Sequence, residues 1–213
     1  MINYEKINDK LKTKFNNIPH LVTEDLIRFW FIESQNLSIP STTIEKPYEN
    51  LEIKSKFKEH ITIRARADLY DEQSDVVIEF KYHKKISTSD SCKTTNMGEV
   101  FRELNRLSVL NNTKKYLIYV FDSEMMDYYN KYEIANIFNI AEKSDLKIPS
   151  DIKASKNSHK EFYKTAFSSF DDNCKDFSEF TYTVKTEYSN TITTVMGKDD
   201  KPNTFYIKVY KVT

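Results

Sequence analysis

Residues 61–85 read ITIRARADLYDEQSDVVIEFKYHKK, and Asp68, Glu79 and Lys81 sit there among strand-forming residues where charge is costly to bury. From Val76 to Tyr82 the charged residues are Glu79 and Lys81. A period of two projects both from one side of a strand, with Val76, Ile78, Phe80 and Tyr82 on the other. Residues 61–70 read as a partner strand, and the polar residues 71–74 suit a short hairpin connection. A connection centred on Glu72 and Gln73 sets Asp68 opposite Val77, which gathers Asp68, Glu79 and Lys81 on one face. Two carboxylates and an ammonium at one end of a hairpin suit phosphodiester hydrolysis by a hard cation. Asp68 and Glu79 are candidate oxygen ligands to Mg2+, with Mn2+ able to substitute. The metal would lower the pKa of a bound water, and Lys81 would orient or deprotonate that water or stabilise the charge that develops. The competing reading is a surface ion pair between Glu79 and Lys81, worth at most about 1 kcal/mol.

Several elements must position these residues. Ile7, Leu11 and Phe15 recur at helical spacing and predict an amphipathic helix over residues 2–15. Thr23 can cap a second helix running to residue 35, with Glu24 and Asp25 in its first turn and Leu26, Phe29, Trp30 and Ile32 buried. Residues 42–48 read as a short strand that Pro47 confines to an edge or an end. The polar residues 84–95 read as a loop at the mouth of the hairpin. Val100, Phe101, Leu104, Leu107 and Leu110 trace a helix over 96–110, followed by a buried-looking strand at 114–122. Strand, crossover helix and strand of this length imply a parallel βαβ unit. A further helix is predicted over 123–143, with Ser123 as its cap, then a polar connection over 144–159 and a short helix over 159–170. The end of the chain alternates as antiparallel strands, with lysines and tyrosines interleaved at Tyr206, Lys208, Tyr210 and Lys211. These strands suit sheet extension or dimerisation, and alternatively contact with nucleic acid.

Composition sets the outer bounds. A chain of 213 residues with 39% apolar content can bury one good core. Two glycines, Gly98 and Gly197, exclude a glycine-rich phosphate loop. The formal net charge is zero, so nucleic-acid binding would rest on a local basic patch. Cys92 and Cys174 have no metal-ligand spacing and no signal-peptide pattern opens the chain, which points to a reduced, cytoplasmic protein. The sequence has no apolar run of membrane-spanning length. His20, His60, His83 and His159 lack zinc-site context.

Asp68, ten intervening residues and then Glu79-Phe80-Lys81 resemble the PD-(D/E)xK nuclease superfamily, whose fold is called restriction-endonuclease-like. Ala67 stands where the family name has proline, at a position that is not a ligand. The resemblance covers residues 23–122. It implies an α/β fold with an αβββαβ core around a mixed sheet. With the N-terminal helix that core takes residues 1–145, and the alternation at the end of the chain makes residues 146–213 a β-rich extension. It also implies a Mg2+-dependent endonuclease of restriction or defence type, acting on DNA, with Asp68, Glu79 and Lys81 catalytic. Glu24 matches a glutamate that reaches the metal in several relatives; the alternative is a helix-dipole contact. Arg66, Lys84, Lys85, Lys93 and Arg106 are candidate nucleic-acid contacts, with ion pairing or plain solvation as the alternative for each. Cutting both strands of a duplex would favour a homodimer. The alternatives to a DNA nuclease are an RNA-directed nuclease and a non-catalytic nucleic-acid-binding or interaction protein that keeps the fold.

Overall fold

The computed structural model describes residues 2–18, 21–35, 37, 41–54, 57–58, 65–84, 90–112, 114–131, 145–148, 160–170, 182–194 and 202–213. Helix α1 (Tyr4–Asn17) begins where the Asn3 side chain accepts the Lys6 amide, and it buries Ile7, Leu11 and Phe15. Helix α2 (Glu24–Gln35) is capped by Thr23, whose hydroxyl accepts the Leu26 amide at 3.3 Å. Its buried residues are Ile27, Trp30 and Phe31, whereas Phe29, expected inside, is 59% exposed. The apolar stripe is therefore rotated by about one residue, and Arg28 is turned toward the sheet.

The strands are β1 (Thr42–Pro47), β2 (Arg66–Asp71), β3 (Val76–His83), β4 (Lys114–Asp122), β5 (Asp145–Ile148), β6 (Tyr182–Thr193) and β7 (Thr204–Val212). They form one seven-stranded mixed sheet in the order β1-β2-β3-β4-β7-β6-β5. β3 and β4 are parallel and the other neighbours antiparallel. The crossover between β3 and β4 is α3 (Asp90–Ser108), followed in chain order by α4 (Ser123–Lys131) and α5 (Lys160–Ala166). β4 reads KKYLIYVFD because it is buried on both faces along most of its length.

Alternation divides the core in two. Leu69, Ile78, Phe80, Ile118, Val120 and Ile207 pack toward α1 and α2. Val77, Leu117, Tyr119, Phe121 and Tyr210 pack toward α3, α4 and α5. The C-terminal strands are part of this arrangement: β7 pairs with β4 along Tyr116–Asp122, and Phe205, Ile207 and Val209 fill the α1 and α2 side.

Several boundaries differ from expectation. The β2–β3 turn is Glu72–Asp75, with Asp75 in the left-handed region at φ 50°, so Val77 pairs with Tyr70 and not with Asp68. The slip is two places in register, which leaves side-chain parity unchanged. Helix α3 starts at Asp90, so half of the expected loop is helical; residues 85–89 lie outside the described residues. Helix α4 is described only to Lys131, and its first turn is capped by Asp122, which accepts the Met125 amide, in place of Ser123. Part of the expected polar connection is β5. Among the described residues, no helix is long and apolar enough to cross a membrane.

Candidate functional site

The site forms where two ladders are interrupted. β1 and β2 pair from Thr42↔Asp71 to Ile44↔Leu69 and resume at Lys46↔Ala67. The skipped residue of β1, Glu45, lies opposite Asp68 and has φ 55°, a left-handed backbone that is strained for a non-glycine residue. The β2–β3 ladder ends at Leu69↔Ile78. Beyond it, side chains replace backbone partners. The Phe80 amide donates to Asp68 Oδ2 at 2.7 Å, and the Asp68 amide lies 3.4 Å from Glu79 Oε2. Ala67 packs toward the α3 side while Leu69 packs toward α2, so strand alternation slips at residue 68. A carboxylate inserted between two strands accounts for the opening.

Glu79 is 1% exposed, and the buried Tyr48 hydroxyl donates to its Oε1 at 2.6 Å. Lys81 is clasped by Glu24, its Nζ lying 3.1 and 3.2 Å from the two carboxylate oxygens, while the Tyr82 amide donates to Glu24 Oε2 at 3.1 Å. Glu103 of α3, 2% exposed, approaches Lys81 at 3.8 Å and is held by Arg102 at 2.9 Å and Arg106 at 2.6 Å. Arg28 Nη1 lies 3.3 Å from Asp68 Oδ1 and also engages Glu45, and its Nη2 engages Asp25.

The cations are shared unevenly. Lys81 lies between Glu24 and Glu103, two arginines serve Glu103, and Arg28 is divided among Asp25, Glu45 and Asp68, which leaves Glu79 without a cation in contact among the described residues. Burial pushes the Asp68 carboxyl up to about 6 against the pull of the Phe80 amide and Lys81. Burial, then the neighbouring Asp68 and Glu103, pushes Glu79 well above the carboxylate range. Burial alone would lower Lys81, but Glu103, Glu24 and Asp68 outweigh it and the ammonium is raised. The surrounding carboxylates therefore favour the ammonium form of Lys81.

The structure thus brings Asp68, Glu79, Lys81 and Glu24 into one cluster. Glu24 is engaged with Lys81 and a backbone amide. Arg66 is exposed on β2, with Nη1 3.3 Å from the Glu45 carbonyl. Lys84 directly follows β3 and Lys93 lies on α3, both half-buried, while Lys85 falls outside the described residues. Arg106 is turned inward, with Nε donating to Ser169 at 2.6 Å. Tyr48, Arg28, Arg102 and the central position of Glu103 do not stand out from sequence pattern. Glu103 nevertheless carries a signal, since it stands three residues after Val100 and four before Leu107 on the inward stripe.

An oxygen-only pair of buried carboxylates with raised pKa values fits a hard cation, which Mg2+ meets through one or two carboxylates, water and substrate phosphate. Among the described residues no three His, Cys, Asp or Glu side chains group to hold a metal. Compared with known protein families, with curated proteins and with solved structures, the chain has no match.

Proposed function

We propose that this chain is a Mg2+-dependent endonuclease with a restriction-endonuclease-like core, hydrolysing phosphodiester bonds in DNA. The observation that carries the reading is the convergence of Asp68, Glu79 and Lys81 at the point where the β2–β3 ladder opens. The order α2-β1-β2-β3-α3-β4 with β3 and β4 parallel supports the αβββαβ assignment.

Asp68 and Glu79 would hold the cation. When bound, Mg2+ supplies Lewis acidity and a bound water of lowered pKa. The chain's own side chains do the rest. Tyr48 fixes Glu79 by donating to Oε1, and Glu24 with Glu103 fixes the Lys81 ammonium. As an ammonium, Lys81 stabilises negative charge developing on phosphate oxygens and orients the attacking water. Arg102 and Arg106 hold Glu103 in the interior, which positions Lys81's partner.

The test is cleavage of supercoiled and single-stranded DNA, and of RNA, by the full chain with Mg2+ or Mn2+. Asp68→Ala, Glu79→Gln and Lys81→Ala are each expected to slow cutting by about 100-fold or more while DNA binding persists. One observation favours a second reading, a non-catalytic nucleic-acid binder: Glu79 is nearly inaccessible beneath Tyr48. Binding by the wild type without cation-dependent cutting of any of these substrates would establish that alternative.

A further inference from the structure

On the α2 side of the sheet, opposite the face that carries Glu103, the β2–β3 hairpin and the end of α2 enclose a cavity of about 430 Å³. That volume lies within the roughly 300–1,000 Å³ of small-molecule pockets. Its walls are mostly apolar, with Ile2, Phe31, Leu69, Val76, Ile78 and Tyr116 contributing.

Asp71, the last residue of β2, also lines the cavity, and it is 6% exposed. Its Oδ1 has no hydrogen-bond partner. Two other polar side chains at the cavity, Gln35 and Lys114, are committed elsewhere. Gln35 accepts the Asn3 amide at 2.6 Å and donates to the Asn3 carbonyl at 3.0 Å. Lys114, exposed at the rim, donates to the Ser74 carbonyl at 3.2 Å. A buried acceptor without a donor is costly, and a carboxylate more so than a neutral oxygen.

We propose that this cavity binds a small molecule bearing a primary ammonium on an apolar body. The ammonium donates to Asp71 Oδ1 as a charge-assisted hydrogen bond, and the body lies against Phe31, Leu69 and Ile78. A cation is selected over an alcohol by the carboxylate, and an alkyl or aryl body over a polar one by the walls. The inference stands independently of the phosphodiesterase reading, because it uses neither Asp68 nor Glu79.

The experiment titrates n-hexylammonium, and 1-hexanol as its neutral counterpart, into the full chain with isotope-labelled Ile, Leu and Val methyl groups. The expected result is saturable shifts centred on Leu69, Val76 and Ile78, with hexanol binding roughly tenfold or more weakly. Asp71→Asn, with a methyl spectrum showing a folded chain, is expected to lower hexylammonium affinity by a similar factor and to leave hexanol unchanged. Should Asp71→Asn fail to fold, Val76→Phe fills the space from the half-buried rim and is expected to abolish binding. Equal affinity for amine and alcohol, undiminished binding in either folded variant, or absence of saturable shifts at these methyls would each overturn the proposal.

Discussion

Asp68 differs from an ordinary surface aspartate because its carboxylate takes a place in the sheet that a backbone group would fill. It accepts the Phe80 amide, which stabilises the charged form, yet burial wins and the carboxyl titrates near 6. The sign of the consequence follows. A folded-state value raised from 3.8 contributes stability that is fully present below that pH and lost as pH rises toward 6, so the cation-free protein weakens over this interval. Cation binding runs the other way, since the ion must displace the proton. Mn2+ affinity measured by calorimetry is expected to fall by up to about tenfold per unit below pH 6. An affinity flat from pH 7 to pH 5 would mean that Asp68 is not a ligand. Tyr48 offers a second test. Its hydroxyl donates to a carboxyl oxygen of a side chain that is 1% exposed, so Tyr48→Phe strips a buried acceptor of its donor. Urea unfolding is expected to show a loss of about 1–3 kcal/mol.

At the scale of elements, the sequence disclosed what local pattern controls. Alternation in β3, β6 and β7 and the helical stripe of α3 were legible, and so was the gathering of Asp68, Glu79 and Lys81, because charge inside an apolar strand stands out. Register was not: the turn residue Asp75 adopts φ 50° without being glycine, which lengthens the connection past its expected centre. Nor were Tyr48 and Arg28, whose roles come from contacts 31 and 40 residues away in sequence. The start of α3 was missed because its first turns are polar, and tertiary packing holds them. Gly98 shows that packing. Helix propensity favours alanine there by roughly 1 kcal/mol. A Cβ at Gly98, however, would lie 2.7 Å from Thr165 Cβ and 3.0 Å from the Phe162 carbonyl oxygen, so α3 and α5 are too close for it. Gly98→Ala is expected to destabilise by about 1–3 kcal/mol net of propensity in chemical denaturation. A stabilised variant would show that the two helices separate easily.

For the whole molecule, the last strand in sequence is central in space. β7 lies between β4 and β6, and Asn105 of α3 ties this end to the rest by accepting the Tyr182 hydroxyl at 2.7 Å and donating to the Ala166 carbonyl at 2.9 Å. A fragment of residues 1–145 would leave the β4 edge bare and expose apolar residues on both faces. It is expected to show no cooperative thermal transition by circular dichroism, whereas a monomeric fragment with a sharp melt would show that the first part folds without β7. The same architecture brings α2, β2, β3 and α3 to one cluster of acids and bases, on which the proposed chemistry depends. The most direct test is a crystal of the full chain soaked in Mn2+ and measured for anomalous scattering. The account predicts a peak bridged by the carboxylates of Asp68 and Glu79, lost in Asp68→Ala. A fully soaked crystal with no peak between them, or with Mn2+ bound only elsewhere, would contradict it.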